Sequence, residues 1–408
     1  NKGTGMSKRT YKAMSTTTKD ETNDEEESLG STNSITSEDN PKNHDEITIP
    51  ENFQATESTN AKSLTDGVAL ASYDISKTPK KALIQNNVIM PWIGYGTYRL
   101  GQKNAYDCTL DAIQVGYRCI DTAFIYGGET TESEVGRAIR NAINDKTLRR
   151  RSDIFVITKH WRKYHGYDAT HECLQKSLNR LNLEYIDLWL MHWPGPAWKT
   201  MHRKKEVMEE EGPWAYASIS QDDMVSVRAE TWRAMEDALR EGKVRSIGVS
   251  NFTVQHLETL KQSATIWPPA VNQVECHPLY PQEELRQYCE KEGILLQAYA
   301  ALGGQDGTKA KWKDLLGGKK LIQAPTVLSI AEEVGGDDDG VTPAQVLLKW
   351  ALQRKCAITP KTSSRERMVE NANIFNFELT DAQMMRLEKM QVPGEAGRLC
   401  WRTDPLRL

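Results

Sequence analysis

No stretch of this chain approaches the roughly 20 consecutive apolar residues that a membrane-spanning helix needs, so no membrane partner is expected. CxxC pairs are also missing. The seven cysteines (108, 119, 173, 276, 289, 356 and 400) are scattered and odd in number. That pattern predicts free thiols in a reducing, cytoplasmic compartment, and neither a disulfide frame nor a zinc site. A GxGxxG turn is lacking too: "GYGTYRLG" offers Gly94-x-Gly96 and then the wrong spacing, which argues against an open dinucleotide-binding sheet. With 52 basic and 56 acidic residues the net charge is −4, and no nucleic-acid partner is expected. No basic-then-apolar signal opens the chain, although it starts with Asn1 and so leaves room for an upstream targeting piece. Aromatics are almost absent from residues 1 to about 80, where runs such as "NDEEESLGSTNSITSEDN" dominate. Such a segment cannot bury enough apolar surface to offset its chain entropy, so residues 1–80 are expected to be a disordered, acidic N-terminal extension.

What remains, residues 81–408, is large for an ordinary core but normal for an α/β barrel. Short β-branched or apolar runs alternate with longer amphipathic ones. Strands are predicted at 92–98, 117–123, 153–159, 185–193, 244–251, 269–276, 294–302 and 357–362. Helical patterns lie between them, among others at 102–115, 132–143, 169–181, 229–241, 254–263, 282–292 and 342–354. Thr131 with Glu134 three later predicts a capping box. Thr342-Pro343 predicts a hydroxyl N-cap before a first-turn proline. Eight strands each followed by a helix predict a closed parallel (β/α)8 TIM barrel. Two long connections, 194–228 and 303–324, fall after the fourth and seventh strands, where barrel loops commonly shape a pocket. "HRKKEVMEEE" in the first reads as a solvated surface, and "GGDDDG" at 335–340 as a turn. Its contiguous acids lack the spacing of a calcium loop, so no metal site is expected.

The polar residues at the carboxyl ends of the predicted strands are the informative set. They are Asp121 and Tyr126 after the second, Lys159 on the third, and His192 on the fourth. Ser250-Asn251 ends the fifth, Gln273 lies on the sixth, Tyr299 on the seventh, and Lys361-Thr362 ends the eighth. In a barrel these ends converge on one face. Singly, each has a bland reading: a satisfied buried carboxylate, a snorkelling lysine, a core histidine, a surface tyrosine. Jointly they do not. Asp121 and Lys159 on neighbouring strands can pair, which resolves the burial of both, and a cation beside Tyr126 is expected to lower its phenol pKa from about 10 towards neutrality. Lys361, the hydroxyls that follow it, Arg365 and Arg367 surround a helix start, which favours an anion through dipole and free N–H groups.

Six segments, "GYRCIDTAFIYGGETTESEVGRAI", "VITKHW", "IDLWLMHWP", "IGVSNF", "VNQVECHP" and "ITPKTSSRERMVEN", together resemble the aldo-keto reductases in order and spacing, from about Ile89 to about Gln391. The resemblance implies a (β/α)8 barrel that reduces an aldehyde or ketone with NADPH. It implies a catalytic tetrad of Asp121, Tyr126, Lys159 and His192, in which Tyr126 protonates the developing alkoxide. It further implies that Ser250, Asn251 and Gln273 bind the nicotinamide carboxamide and that Tyr299 stacks on its ring, with Thr97 and Leu302 also lining the cofactor. Lys361, Thr362, Ser363 and Arg367 then hold a ribose 2′-phosphate, and Glu370 and Asn371 lie near adenine. Tyr98, Trp161, His192 and Trp193 match substrate-facing positions, and Tyr98 stands where many relatives have Trp. Their aromatic walls imply an apolar-flanked carbonyl. The terminal "EAGRLCWRTDPLRL" aligns with the family's specificity loop and differs from it too much to carry a substrate over.

Two further departures matter. Cys119 replaces a common histidine and reads as a small buried hydrophobe. Between Tyr126 and Val135 the chain is three residues longer than the family's Y-x-N-E-x-E-V-G form, with Gly128 in place of the Asn and Glu132 as the match to its Glu. A shift of Tyr126 by about 1 Å would be enough to slow proton transfer on the order of 10²-fold. A monomer is expected. Competing readings are a nucleotide-sensing module with little turnover and a lyase or isomerase using Lys159 as a Schiff base.

Overall fold

The computed structural model describes residues 88–196, 221–304, 314–335 and 340–400. The expected N-terminal extension lies outside these residues, as do "HRKKEVMEEE", residues 305–313 of the second long connection, the acids of "GGDDDG" and the last eight residues.

All eight strands form, all but the third inside their predicted runs: β1 (Tyr95–Gly96), β2 (Cys119–Asp121), β3 (Phe155–His160, one residue past its predicted end), β4 (Leu188–Met191), β5 (Ile247–Ser250), β6 (Val271–Glu275), β7 (Leu295–Tyr299) and β8 (Ala357–Ile358). They pair in parallel and in chain order. Closure comes from β8 meeting the start of β1. Ile358 donates to Trp92 O at 2.8 Å, and Gly94 N donates to Ile358 O at 2.8 Å. A closed parallel sheet is buried on both faces, which is why its strands read as short apolar runs.

The helices follow: α1 (Gly101–Val115), α2 (Thr131–Asn144), α3 (Tyr167–Leu181), α4 (Gln221–Arg240), α5 (Val254–Lys261), α6 (Glu283–Glu292), α7 (Pro325–Gly335), α8 (Pro343–Gln353), α9 (Arg365–Ala372) and α10 (Asp381–Glu388). Their apolar stripes join the outward strand residues in one continuous layer that includes Ile120, Val156, Trp189 and Val249. The inward residues form a second cluster, including Cys119, Phe155, Ile157, Leu188, Leu190, Val271 and Leu295, which plugs the lower barrel. The same alternation then turns polar going up: Cys119 to Asp121, Ile157 to Lys159, Val271 to Gln273, Leu295 to Gln297. The strands thus end in a floor of buried polar groups above an apolar plug. Cys119 is fully buried in that plug and burial pushes its thiol well above the ordinary range, as the hydrophobe reading expected. All seven cysteines are free thiols.

Thr342 caps α8 as predicted, accepting from Gln345 N while Gln345 reaches back to Thr342 N. The box at Thr131 does not form. Thr130 is the N-cap of α2, no side chain caps it, and Thr131 Oγ1 is buried under the chain without a partner. The physical reason lies in the turn before it. Thr130 Oγ1 is spent on Gly127 O at 2.8 Å, and Thr131 packs so closely on Gly127 that a Cβ there would come within 2.5 Å of its hydroxyl.

Candidate active site

Lys159 is the penultimate residue of β3, which is buried along its length, and its side chain runs up the barrel interior with no solvent exposure. Its ammonium meets three acceptors: Asp121 Oδ1 at 2.8 Å, Thr122 O at 2.7 Å and Tyr126 Oη at 3.3 Å. Burial pulls the lysine below its usual pKa while the Asp121 carboxylate holds it up. The second Asp121 oxygen accepts from the Gln273 amide at 2.7 Å, and that amide also donates to Gln297 at 2.7 Å. Two strand-separated side chains therefore neutralise and solvate one buried carboxylate, as a charge in a low-dielectric site requires.

Tyr126 follows β2 in a one-turn 3₁₀ segment, Tyr126–Gly128. Its ring stands 5.0 Å from Tyr98 and 6.0 Å from His192 between centroids, with Lys159 Nζ 4.9 Å from its centre. Here the expected electrostatics are overturned. The phenol is pushed well above its ordinary pKa, first by burial and then by the Asp121 charge. The lysine that was to favour the phenolate is 0.5 Å closer to Asp121 than to Tyr126 and is largely spent there. The phenol is therefore held in its protonated form at neutral pH. His192 is likewise held neutral, its pKa depressed by burial and by Lys159 and Arg162.

Around this core lie Trp161, 5.9 Å from His192, and Trp193, stacked on His192 at 6.3 Å. Arg162 lies over Trp193 and holds the carbonyls of Gly195 and Pro196 at 3.1 and 2.6 Å. On the other rim, Tyr299 Oη donates to Asn251 Oδ1 at 2.8 Å and Asn251 Nδ2 to His192 O at 2.9 Å. Ser250 Oγ donates to Gln273 O at 2.7 Å and Thr97 Oγ1 to Asp121 O at 2.9 Å. Leu302 is half-buried against the core. The four tetrad positions and Thr97, Tyr98, Trp161, Trp193, Ser250, Asn251, Gln273 and Tyr299 thus share one connected face.

At the amino end of α9, Ser364 is the N-cap, accepting from Arg367 N at 3.3 Å, and Arg367 Nε donates to Thr362 Oγ1 at 3.1 Å. Ser363 is exposed beside them. Half-buried Lys361 is depressed by burial and, among charges, by both Arg367 and Arg99. Arg99 was not singled out in the sequence; its place directly after the "GTY" of the first strand was the available signal. Among the described residues no carboxylate pairs with Lys361 or Arg367, and the amino end of α9 lies beside them, a combination that favours an anion. Arg365 does not join them: it turns to Asp111 at 2.8 Å and Gln114 at 3.2 Å on α1. Glu370 accepts from Thr342 at 2.6 Å, and Asn371 is buried. These residues fit a phosphorylated dinucleotide, because Lys361 and Arg367, which no carboxylate pairs among the described residues, share the carboxyl face of one barrel with a row of polar rim groups. Among the described residues no group of acidic, histidine or cysteine side chains is placed to hold a metal ion.

The fold and site define an eight-stranded barrel with a buried lysine–carboxylate pair under a tyrosine. The sequence profile of the aldo/keto reductase family matches residues 92–392. Glyoxal reductase of Bacillus subtilis (strain 168) is 36% identical over 315 residues, which cover 77% of this chain and 94% of that one. The NAD(P)H-dependent D-xylose reductase I,II of Candida tropicalis is 35% identical over 324 residues, 78% of this chain and 95% of that one. The crystal structure of MGS-M4, an aldo-keto reductase from a Medee basin deep-sea metagenome library, superposes with a TM-score of 0.60 at 34% identity, covering 79% and 97% of the two chains. The chain belongs to the aldo/keto reductase family. It is an NAD(P)H-dependent oxidoreductase that acts on small-molecule carbonyls.

Proposed function

We propose that this protein reduces an aldehyde or ketone to the alcohol with NADPH, Tyr126 giving the proton. The observation that carries the reading is the position of Lys159 Nζ, within hydrogen-bond reach of both Asp121 and the Tyr126 hydroxyl. When bound, the nicotinamide supplies hydride to the carbonyl carbon. The chain's own residues manage the oxygen. His192, neutral, donates from Nε2 and orients the carbonyl. Tyr126, kept protonated by burial, delivers its proton as alkoxide charge builds, a stronger base than the phenolate left behind. Lys159 stabilises that phenolate, and Asp121 with Gln273 fixes Lys159. Donors aimed at a charge that develops only late stabilise the transition state over the ground state.

Asn251 and Ser250 hold the carboxamide, Tyr299 stacks on its ring, and Lys361 with Thr362, Ser363 and Arg367 takes the 2′-phosphate, which favours NADPH over NADH. Tyr98, Trp161 and Trp193 form an aromatic wall suited to an apolar-flanked carbonyl. A Schiff-base role for Lys159 fits poorly, because its three hydrogens already face three acceptors.

The purified protein with NADPH and a panel of aldehydes is expected to lose nicotinamide absorbance, and Tyr126→Phe to lower kcat by about 10²–10⁴-fold. Unchanged turnover in that variant defeats the mechanism. Tight NADPH binding without turnover in the wild type would instead support a nucleotide-sensing module.

A further inference from the structure

Tyr126 is followed by three consecutive left-handed residues, Gly127 (φ 60°), Gly128 (φ 65°) and Glu129 (φ 76°). Glycine adopts that conformation freely, and two of the three positions use it. The third carries a glutamate, which has a Cβ to accommodate and no local side-chain bond that would favour the turn. The carboxylate is instead extended to Arg180 on α3, 2.6 Å away.

Arg180 does more than pair with Glu129. Its other terminal nitrogen reaches Phe124 O at 3.4 Å, and the guanidinium lies 4.0 Å above the Phe124 ring. Phe124 sits two residues before Tyr126 and Glu129 three residues after it. One guanidinium therefore grips both flanks of the tyrosine. The backbone between the grips is short and closed: Tyr126 N donates to Ala123 O at 3.1 Å, and Glu129 N to Tyr126 O at 3.1 Å. The same guanidinium stands 3.6 Å from buried Glu132, whose other oxygen accepts from Thr158, the neighbour of Lys159, at 2.7 Å. Arg180 thus touches the segment that carries Tyr126 directly and the strand that carries Lys159 through Glu132.

We propose that Arg180 is a positioning residue for Tyr126, and that Glu129, supplied by the extra residues after the tyrosine, is its counter-charge. The lengthened loop is fastened to α3 from outside the barrel, and that fastening keeps the Tyr126 hydroxyl at Lys159. The inference rests on Tyr126 being the proton donor.

The test compares Glu129→Gly, Arg180→Met, Arg180→Lys and the double variant Glu129→Gly/Arg180→Met. Glu129→Gly suits the left-handed backbone better than wild type, so a merely structural role for the loop predicts no loss. The proposal predicts a fall in kcat of roughly tenfold with the KM for NADPH unchanged, faster amide exchange at residues 126–131, and a double variant no worse than Arg180→Met alone. Arg180→Lys, which keeps the charge, restores part of the rate. Full kcat in folded Glu129→Gly and Arg180→Met overturns the proposal, as does a loss shared equally by NADPH affinity. Tyr126→Phe is run beside them. If it keeps full turnover, the proton-donor reading itself fails. If it is inactive while the Arg180 variants are not, only the positioning role fails.

Discussion

The Gln273 amide donates to the Asp121 carboxylate at 2.7 Å across 152 residues of sequence, on the side opposite Lys159. Asp121 is thus solvated on one oxygen by a neutral donor and neutralised on the other by a cation. Breaking one side of a buried pair leaves the other charge uncompensated and costs about 3–5 kcal/mol. Lys159→Met is therefore expected to lower unfolding free energy by about that amount and to abolish reduction. Adding Asp121→Leu removes the stranded charge, so the double variant should regain most of the stability and none of the activity. Chemical denaturation of the three proteins decides it, and a double variant as unstable as the single one would show that the pair is not the source.

Acid should weaken the fold through histidines that play no part in the proposed chemistry. His160 is fully buried between His165, 4.8 Å away, and Trp189, 6.1 Å away. Burial lowers its pKa from 6.5 to about 4, and His165 is lowered well below 6.5 by burial and its cationic neighbours. The unfolded chain takes up protons near 6.5 and the folded one does not. Stability is thus full above pH 6.5 and falls as pH drops through 6.5 towards 4. His160 alone accounts for about 3 kcal/mol of that loss at ~1.36 kcal/mol per pKa unit. In His160→Gln the acid limb of a stability–pH curve should flatten, and an unchanged limb would point elsewhere.

The barrel was legible because each strand is buried on both faces and so reads as a bounded apolar run. Strand ends were less so. β1 is only two residues long, although Thr97 just past it still bonds Asp121 O through both its amide and its hydroxyl. The four residues proposed for catalysis stood out as polar types at strand ends, but their charge state did not. Burial of the phenol, with the Asp121 charge added to it, reversed the expected direction of the Tyr126 shift, and neither is written in the residue types. The Thr131 cap failed for a local reason, the close packing on Gly127, that spacing rules do not encode. Arg180 was invisible because its work is done 51 residues away.

Thr342 closes the start of α8 in two ways, by accepting from Gln345 N and by donating to Glu370 on α9 at 2.6 Å. Thr342→Ala loses a cap worth about 1 kcal/mol and strands a partner of Glu370. The unfolding midpoint should drop measurably. Thr342→Ser, which keeps the hydroxyl, should stay close to wild type. Equal losses in the two variants would mean that the methyl group matters more than the cap.

Cofactor choice gives the sharpest test of the α9 terminus. Burial, with the nearby charges of Arg367 and Arg99, lowers the Lys361 ammonium, and among the described residues Lys361 and Arg367 have no carboxylate partner. Such a cluster is costly without an anion and strongly favourable with one. A 2′-phosphate carries charge to that spot and a 2′-hydroxyl does not. Arg367→Met is therefore expected to weaken NADPH binding by roughly 10–100-fold, the range of one or two charge-assisted hydrogen bonds, and to leave NADH binding within about twofold. Raising salt should erode NADPH affinity in the wild type more than in the variant, since the lost contact is ionic. Titration of intrinsic fluorescence with each nucleotide gives both affinities. If Arg367→Met weakens NADH and NADPH alike, the residue serves the loop and not the phosphate, and the preference for NADPH would have to come from other contacts.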